Sequence, residues 1–188
     1  MRKFITVLII LLACVTTCFA AEVDTTEGET LKEEAAIKVS VVERDAFMIA
    51  GLKYFGNNAN DEIGGLWGEF STLRDSIKNQ ANLKEAFGYD TWDEKIQETG
   101  EFTYIAAVEV TDESGVPDGM EIVRIPANRY AVFTFELKLM GDNIVQEIYS
   151  KWLPESGYQM CDDYDFEYYD EAFHDHPDAL VHFYIPIK

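Results

Sequence analysis

From Ile37 to its end the chain runs twice through one order of elements, strand, strand, helix, strand, and a duplication of this kind admits few folds. In the first pass Val39 to Leu52 is rich in β-branched residues and is interrupted by the polar Glu43-Arg44-Asp45, which predicts two strands joined by a turn. A helix follows. Asn60 and Asp61 offer caps, Glu62 suits the positive helix start, and Ile63, Leu66, Trp67, Phe70, Leu73 and Ile77 recur at three- and four-residue spacing. A turn-rich stretch containing Gly88 then leads to Phe102–Val110, a nearly continuous apolar strand of the kind buried on both faces. Gly115, Pro117 and Gly119 mark the link to the second half.

The second pass repeats the first. Glu121 to Pro126 reads as a strand, Ala127-Asn128-Arg129 replaces the polar turn, and Tyr130 to Leu139 is the next strand. Asp142 is the candidate cap of a helix whose apolar face is Ile144, Val145, Ile148, Tyr149 and Trp152, with Pro154 to Gly157 as its stop. Asp165 to Tyr169 and Leu180 to Ile187 complete the half, separated by an acidic loop with His174 and His176. Two helices and about six to eight strands in a repeated order predict an α+β domain. In it an antiparallel sheet carries both helices on one face, two β-β-α-β units pair about a pseudo-twofold axis, and a cleft between the halves is the place for a ligand.

Length and charge narrow the rest. At 188 residues the chain is long enough for one ordinary core, and its 47% apolar and 13% aromatic content is too rich for a disordered acidic chain. Its net charge of −20 opposes partners held through phosphates, so no nucleic-acid partner is expected and an anionic membrane surface is disfavoured as a docking site.

The first 20 residues read separately, as an export signal: Arg2 and Lys3 form a positive start, Phe4 to Ala13 an apolar run, and Cys18-Phe19-Ala20 a cleavage site. Lipidation at Cys14, after Leu11-Leu12-Ala13, is the alternative and would tie the protein to the membrane through that lipid; a retained transmembrane anchor over Phe4 to Ala21 is a third reading. All three place the remainder outside the cytoplasm. Residues 21–36, acidic and nearly devoid of apolar side chains, read as a flexible tether, and the domain as residues 37–188. Loss of Cys14 and Cys18 with the signal would leave Cys161 without a disulfide partner, a small filler rather than a nucleophile.

Several phrases carry a family resemblance. Ile125-Pro-Ala-Asn-Arg-Tyr-Ala-Val-Phe133, the helix end Tyr149-Ser-Lys-Trp-Leu-Pro-Glu-Ser-Gly157, Asp165-Phe-Glu-Tyr-Tyr-Asp170 and the terminal Phe183-Tyr-Ile-Pro-Ile-Lys188 resemble the GyrI-like small-molecule-binding family, the effector-binding domain of AraC-type and multidrug-responsive regulators. Ile49-Ala-Gly-Leu52, Ile63-Gly-Gly-Leu-Trp67 and Tyr104-Ile-Ala-Ala-Val108 fit in the first half. The resemblance implies a central cleft for amphiphilic, often cationic aromatic compounds, with Glu167 meeting the ligand's positive charge. Leu137 and Ala107 stand where many relatives have glycine, so ligand identity does not transfer. No helix-turn-helix segment is read upstream, so the regulatory role of some relatives does not carry over either.

The residues support a site of that kind. Glu167 and Tyr169 lie two apart on a strand and therefore share a face. A carboxylate in an aromatic cleft is costly to desolvate and is relieved by a cation, to which aromatic walls add roughly 0.5–2 kcal/mol per contact. The wall candidates are Trp67, Tyr104, Trp152 and Tyr184, against the plainer reading of Trp67 and Trp152 as helix core and Tyr104 as strand core. Some GyrI-like proteins resemble ring-opening hydrolases, which makes Glu167 an alternative general base, although no Ser–His–Asp order, phosphate loop or zinc spacing supports an enzyme. No cofactor and no metal is expected: His174-Asp-His176 reads as a solvated loop, and Asp162, Asp163 and Asp165 lack the pattern of a calcium loop.

Overall fold

The computed structural model describes residues 37–142, 144–174 and 179–188. The leader, the tether and the loop residues 175–178 with His176 lie outside what is described, as do the side chains of Asp142 and His174. Eight strands form one sheet: β1 (Lys38–Arg44), β2 (Phe47–Gly56), β3 (Ala86–Thr91), β4 (Phe102–Val110), β5 (Glu121–Ile125), β6 (Asn128–Glu136), β7 (Tyr164–Tyr169) and β8 (Leu180–Pro186). Every neighbouring pair is antiparallel, in the order β1-β6-β8-β7-β3-β4-β2-β5.

That order reads the same from either end once each strand is exchanged for its partner in the other pass. The twofold axis therefore runs between β3 and β7, and the register obeys it: Ile49 faces Val123 as Tyr130 faces Val42. The first strand of each half pairs with the other half, which locks the two passes into one sheet. β3, the third strand of the first unit, brings that unit to four strands; the sequence reading passed over it as turn-rich.

The connections force the sheet to curl. β1 lies on one edge and β2 six places away, yet only Asp45 and Ala46 join them. In a flat sheet six spacings amount to about 29 Å, whereas a two-residue link reaches about 10 Å. Curling closes the helix-free face on itself. The rings of Phe47 on β2 and Phe166 on β7 approach to 5.7 Å although three strand spacings separate them. Arg44, at the end of β1, reaches Glu109 on β4 at 2.9 Å. Ile49, Phe87, Tyr130 and Phe166 are fully buried in this self-covered core.

Both helices lie on the other face, each with its own core. α1 (Glu62–Leu73) packs Phe70 and Trp67 over Tyr104, Ala106 and Val108 of β4. Its start is held by Asn58, whose side chain accepts from the Ile63 N–H at 3.0 Å, while Asp61 sits in the left-handed region and makes no side-chain cap. Ile77 is buried beyond the helix in extended backbone, not on its last turn. A short helix, α2 (Ile96–Thr99), precedes β4.

The second long helix is a composite: α3 (Ile144–Glu147), a π-helical stretch Ile148–Trp152 and α4 (Leu153–Ser156). Pro154 lies inside it rather than ending it. Proline brings no N–H to the turn it joins, and the turn before it is widened into π geometry. Gly157, at φ 79°, ends the run in the left-handed conformation that glycine adopts without strain.

Candidate functional site

Alternation along β7 divides its side chains between the two faces. Tyr164, Phe166 and Tyr168 enter the self-covered core, while Asp165, Glu167 and Tyr169 face the helices. Register then assembles the surroundings of Glu167. Gly88 of β3 stands opposite it, and Ala106 of β4 stands opposite Gly88. Because Gly88 has no side chain, Tyr104 can lean across from β4. A Cβ at position 88 would lie 2.1 Å from the Tyr104 hydroxyl oxygen and 2.4 Å from Glu167 Oε2.

The resulting hydrogen bonds converge on one oxygen. Tyr104 donates to Glu167 Oε2 at 2.9 Å and Tyr169 donates to the same atom at 2.6 Å. Trp67 Nε1 on α1 donates in turn to the Tyr104 hydroxyl at 2.9 Å. Among the described residues none donates to Oε1. Glu167 is only 7% exposed, and burial raises its pKa against the lowering effect of the two tyrosine bonds.

Two further acids share the face. Asp90 of β3 pairs directly across from Asp165, which is 4% exposed and accepts a short bond from Tyr149 in the π stretch. Burial pushes Asp165 up to about 8, with Glu167 adding to the shift, and raises Asp90 well above its usual range. Burial, reinforced by the neighbouring carboxylates, also raises the Tyr104, Tyr149 and Tyr169 phenols, which keeps them protonated as donors. No ion pair among the described residues involves Asp90, Asp165 or Glu167. Among the described residues the three carboxylates therefore meet phenols and each other, but no cation.

An apolar cavity of about 420 Å³ lies beside this acid row, on the helix face. Trp67 and Tyr169, whose rings meet edge to face at 5.5 Å, form the wall it shares with Glu167; Phe70 and Phe173 add aromatic surface. Four of the six residues expected at the site are thus brought together: Glu167, Tyr169, Trp67 and Tyr104.

The other two are not. Tyr184 faces Phe166 across the strands and stacks on it at 4.6 Å, on the helix-free side, because a residue one register step from Phe183 must point away from Glu167. Trp152 packs edge-on to Phe133 at 4.5 Å, in the core beneath the second helix. The sequence reading missed Asp90, Asp165 as a companion of Glu167, Tyr149, and the need for Gly88. Two signals were present. Asp165 is two residues from Glu167, hence on its face, and Phe87-Gly-Tyr-Asp90 repeats Phe166-Glu-Tyr-Tyr169, which would have exposed β3.

Comparison with known proteins agrees with this architecture. Residues 40–187 match the family model described as Cass2, integron-associated effector binding protein. The chain is 37% identical over 151 residues to the transcriptional regulator BrlR of Pseudomonas aeruginosa, a match covering 78% of this chain and 54% of that one. It thus spans about half the length of this relative. Among solved structures, SAV2435 bound to tetraphenylphosphonium superposes with a TM-score of 0.64 at 14% identity, over 80% of this chain and 94% of that one. An integron cassette protein of Vibrio cholerae, VCH_CASS2, gives 0.59 at 20% identity, over 83% of this chain and 100% of that one. At these identities the two structures speak for the fold.

Proposed function

Since the chain belongs to the Cass2 family of integron-associated effector binding proteins, we propose that it binds small amphipathic, cationic aromatic molecules in the helix-side cleft, with Glu167 as the counter-charge. One observation carries this reading: a 7%-exposed carboxylate, held by two tyrosine hydroxyls and next to two further acids, has no cationic partner among the described residues and adjoins an aromatic cavity. A lipophilic cation supplies the missing charge without demanding that the cavity hydrate it. Trp67 and Tyr169 offer ring faces and edges to its apolar body. The leader pattern at residues 1–20 supports an exported protein, and the net charge of −20 supports a role that does not involve nucleic acid.

Titration of the purified protein with tetraphenylphosphonium, followed calorimetrically, tests the reading. Saturable binding that weakens about tenfold or more in Glu167→Gln, with the variant still folded, is the expected result. No heat of binding, or equal affinity in the variant, refutes it. Recovery of an intact hydrolysable cationic compound by mass spectrometry separates binding from turnover by the same glutamate.

A further inference from the structure

The cavity beside the Glu167 shell carries a charged side chain in its own wall. α1 presents Trp67, Phe70, Ser71 and Arg74 to it, residues at i, i+3, i+4 and i+7 that form one stripe of the helix. Trp67 touches the shell of Glu167 through Tyr104, whereas Arg74 caps the helix at the far end of the stripe. At 1.5 Å of rise per residue the two lie about 10 Å apart along the axis. A largely apolar cavity therefore has at one end Tyr169, which is hydrogen-bonded to Glu167 behind it, and at the other the Arg74 guanidinium.

Arg74 is placed unusually for a cation in a chain with 35 acids and 15 lysines and arginines. It forms no ion pair among the described residues. Neutral acceptors hold it instead. Nε donates to Gln80 Oε1 at 3.2 Å, and Nη2 donates to the Leu83 and Glu85 carbonyls at 2.7 Å each. These bonds fix the plane of the guanidinium and engage one side of it. No described residue accepts from Nη1. The N–H groups left over are the two on Nη1, and a guanidinium with its plane fixed and these donors without an acceptor among the described residues suits a carboxylate oxygen, which takes a charge-assisted hydrogen bond from it.

We propose that the cavity selects zwitterionic ligands: an apolar body whose cationic centre lies toward Glu167 and whose carboxylate is bound by Arg74. This rests on the reading of Glu167 as the counter-charge and adds an anionic requirement at the opposite end. Simple lipophilic cations then occupy the site without using Arg74, and molecules that add a carboxylate on an arm of suitable length bind more tightly.

A matched pair of probes tests this: (4-carboxybutyl)triphenylphosphonium and its methyl ester, which share the cation and the apolar body and differ in the anionic group. Wild-type protein is expected to bind the free acid about fivefold or more tightly than the ester near pH 8. Arg74→Gln should abolish that preference and leave ester affinity within about twofold, and Arg74→Lys should keep part of it. Arg74 also holds the Leu83 and Glu85 carbonyls, so a variant that fails to fold leaves the wild-type comparison to decide. Equal or tighter binding of the ester by wild-type protein overturns the inference. Tetraphenylphosphonium separates the two readings: if it binds and the carboxylated probe gains nothing, the zwitterion preference alone falls. If no phosphonium binds at all, the cation site itself falls.

Discussion

The hydrogen bond from Tyr104 to Glu167, 2.9 Å long, crosses directly above Gly88, and the missing side chain of that glycine is the space the bond occupies. Three strands contribute to one contact: β4 the phenol, β7 the carboxylate and β3 the gap between them. Gly88→Ala places a methyl group 2.1 Å from the Tyr104 oxygen, so Tyr104 or Glu167 must move and the bond is lost. The expected cost is about 1–3 kcal/mol of stability, measured by urea unfolding, together with weakened tetraphenylphosphonium binding. An alanine variant of native stability and affinity would show that the gap has no role.

The pH dependence of stability follows from the acid row. Asp165 ionises near its ordinary 3.8 when unfolded and at about 8 when folded, so between those values the folded state holds the extra proton. Stability is then full below the unfolded value and is lost as pH rises through the folded one. Unfolding free energy should fall from about pH 4 to pH 8, with a slope of at most about 1.4 kcal/mol per pH unit for one such proton. Asp165→Asn should flatten the curve, and a wild-type curve that rises over this interval would contradict the burial of Asp165.

Ligand binding should carry the opposite sign. Tetraphenylphosphonium keeps its charge at every pH, so only the protein titrates. Burial raises the pKa of Glu167, and the cation favours its ionised form. Affinity must therefore rise with pH through that range, and binding must release protons. The thermal stabilisation given by a fixed excess of ligand should be larger near pH 8 than near pH 5, although the free protein is less stable there. Calorimetry in two buffers of different ionisation enthalpy measures the released protons directly; none released means that the ligand does not meet a titrating acid.

How much of this was legible in the sequence depended on whether a residue's signal was local. The duplication, both helices and the face shared by Glu167 and Tyr169 follow from periodicities of 3.6 and 2, which any short window displays. The pairing of β1 with β6 is not local, for nothing near Lys38 announces that its partner lies around Thr134. β3 went unread because Gly88 breaks the apolar pattern of a short strand, yet that glycine is what admits Tyr104 to Glu167. Tyr184 illustrates the complementary error. It is aromatic, close to the family motif and on the right sheet, but register assigns it to the other face.

That difference of face separates two tyrosine substitutions. Tyr184 stacks on Phe166 at 4.6 Å inside the self-covered core, so Tyr184→Ala should destabilise the protein by about 2–4 kcal/mol. Binding measured well below its unfolding midpoint should stay within about twofold of wild type, because the sheet backbone stands between this residue and the cleft. Tyr169→Phe should behave the other way. It keeps the ring against Trp67 and the cavity but removes the 2.6 Å bond that favours the charged form of Glu167. The acid's pKa then rises further, and affinity for tetraphenylphosphonium should fall severalfold near pH 7 and recover as the pH is raised. Stability should change little, since one hydroxyl and its bond contribute about 1 kcal/mol net. If Tyr184→Ala abolished binding in the folded protein while Tyr169→Phe did not, the ligand would have to sit within the curl of the sheet, and the helix-side cleft would lose its claim to the site.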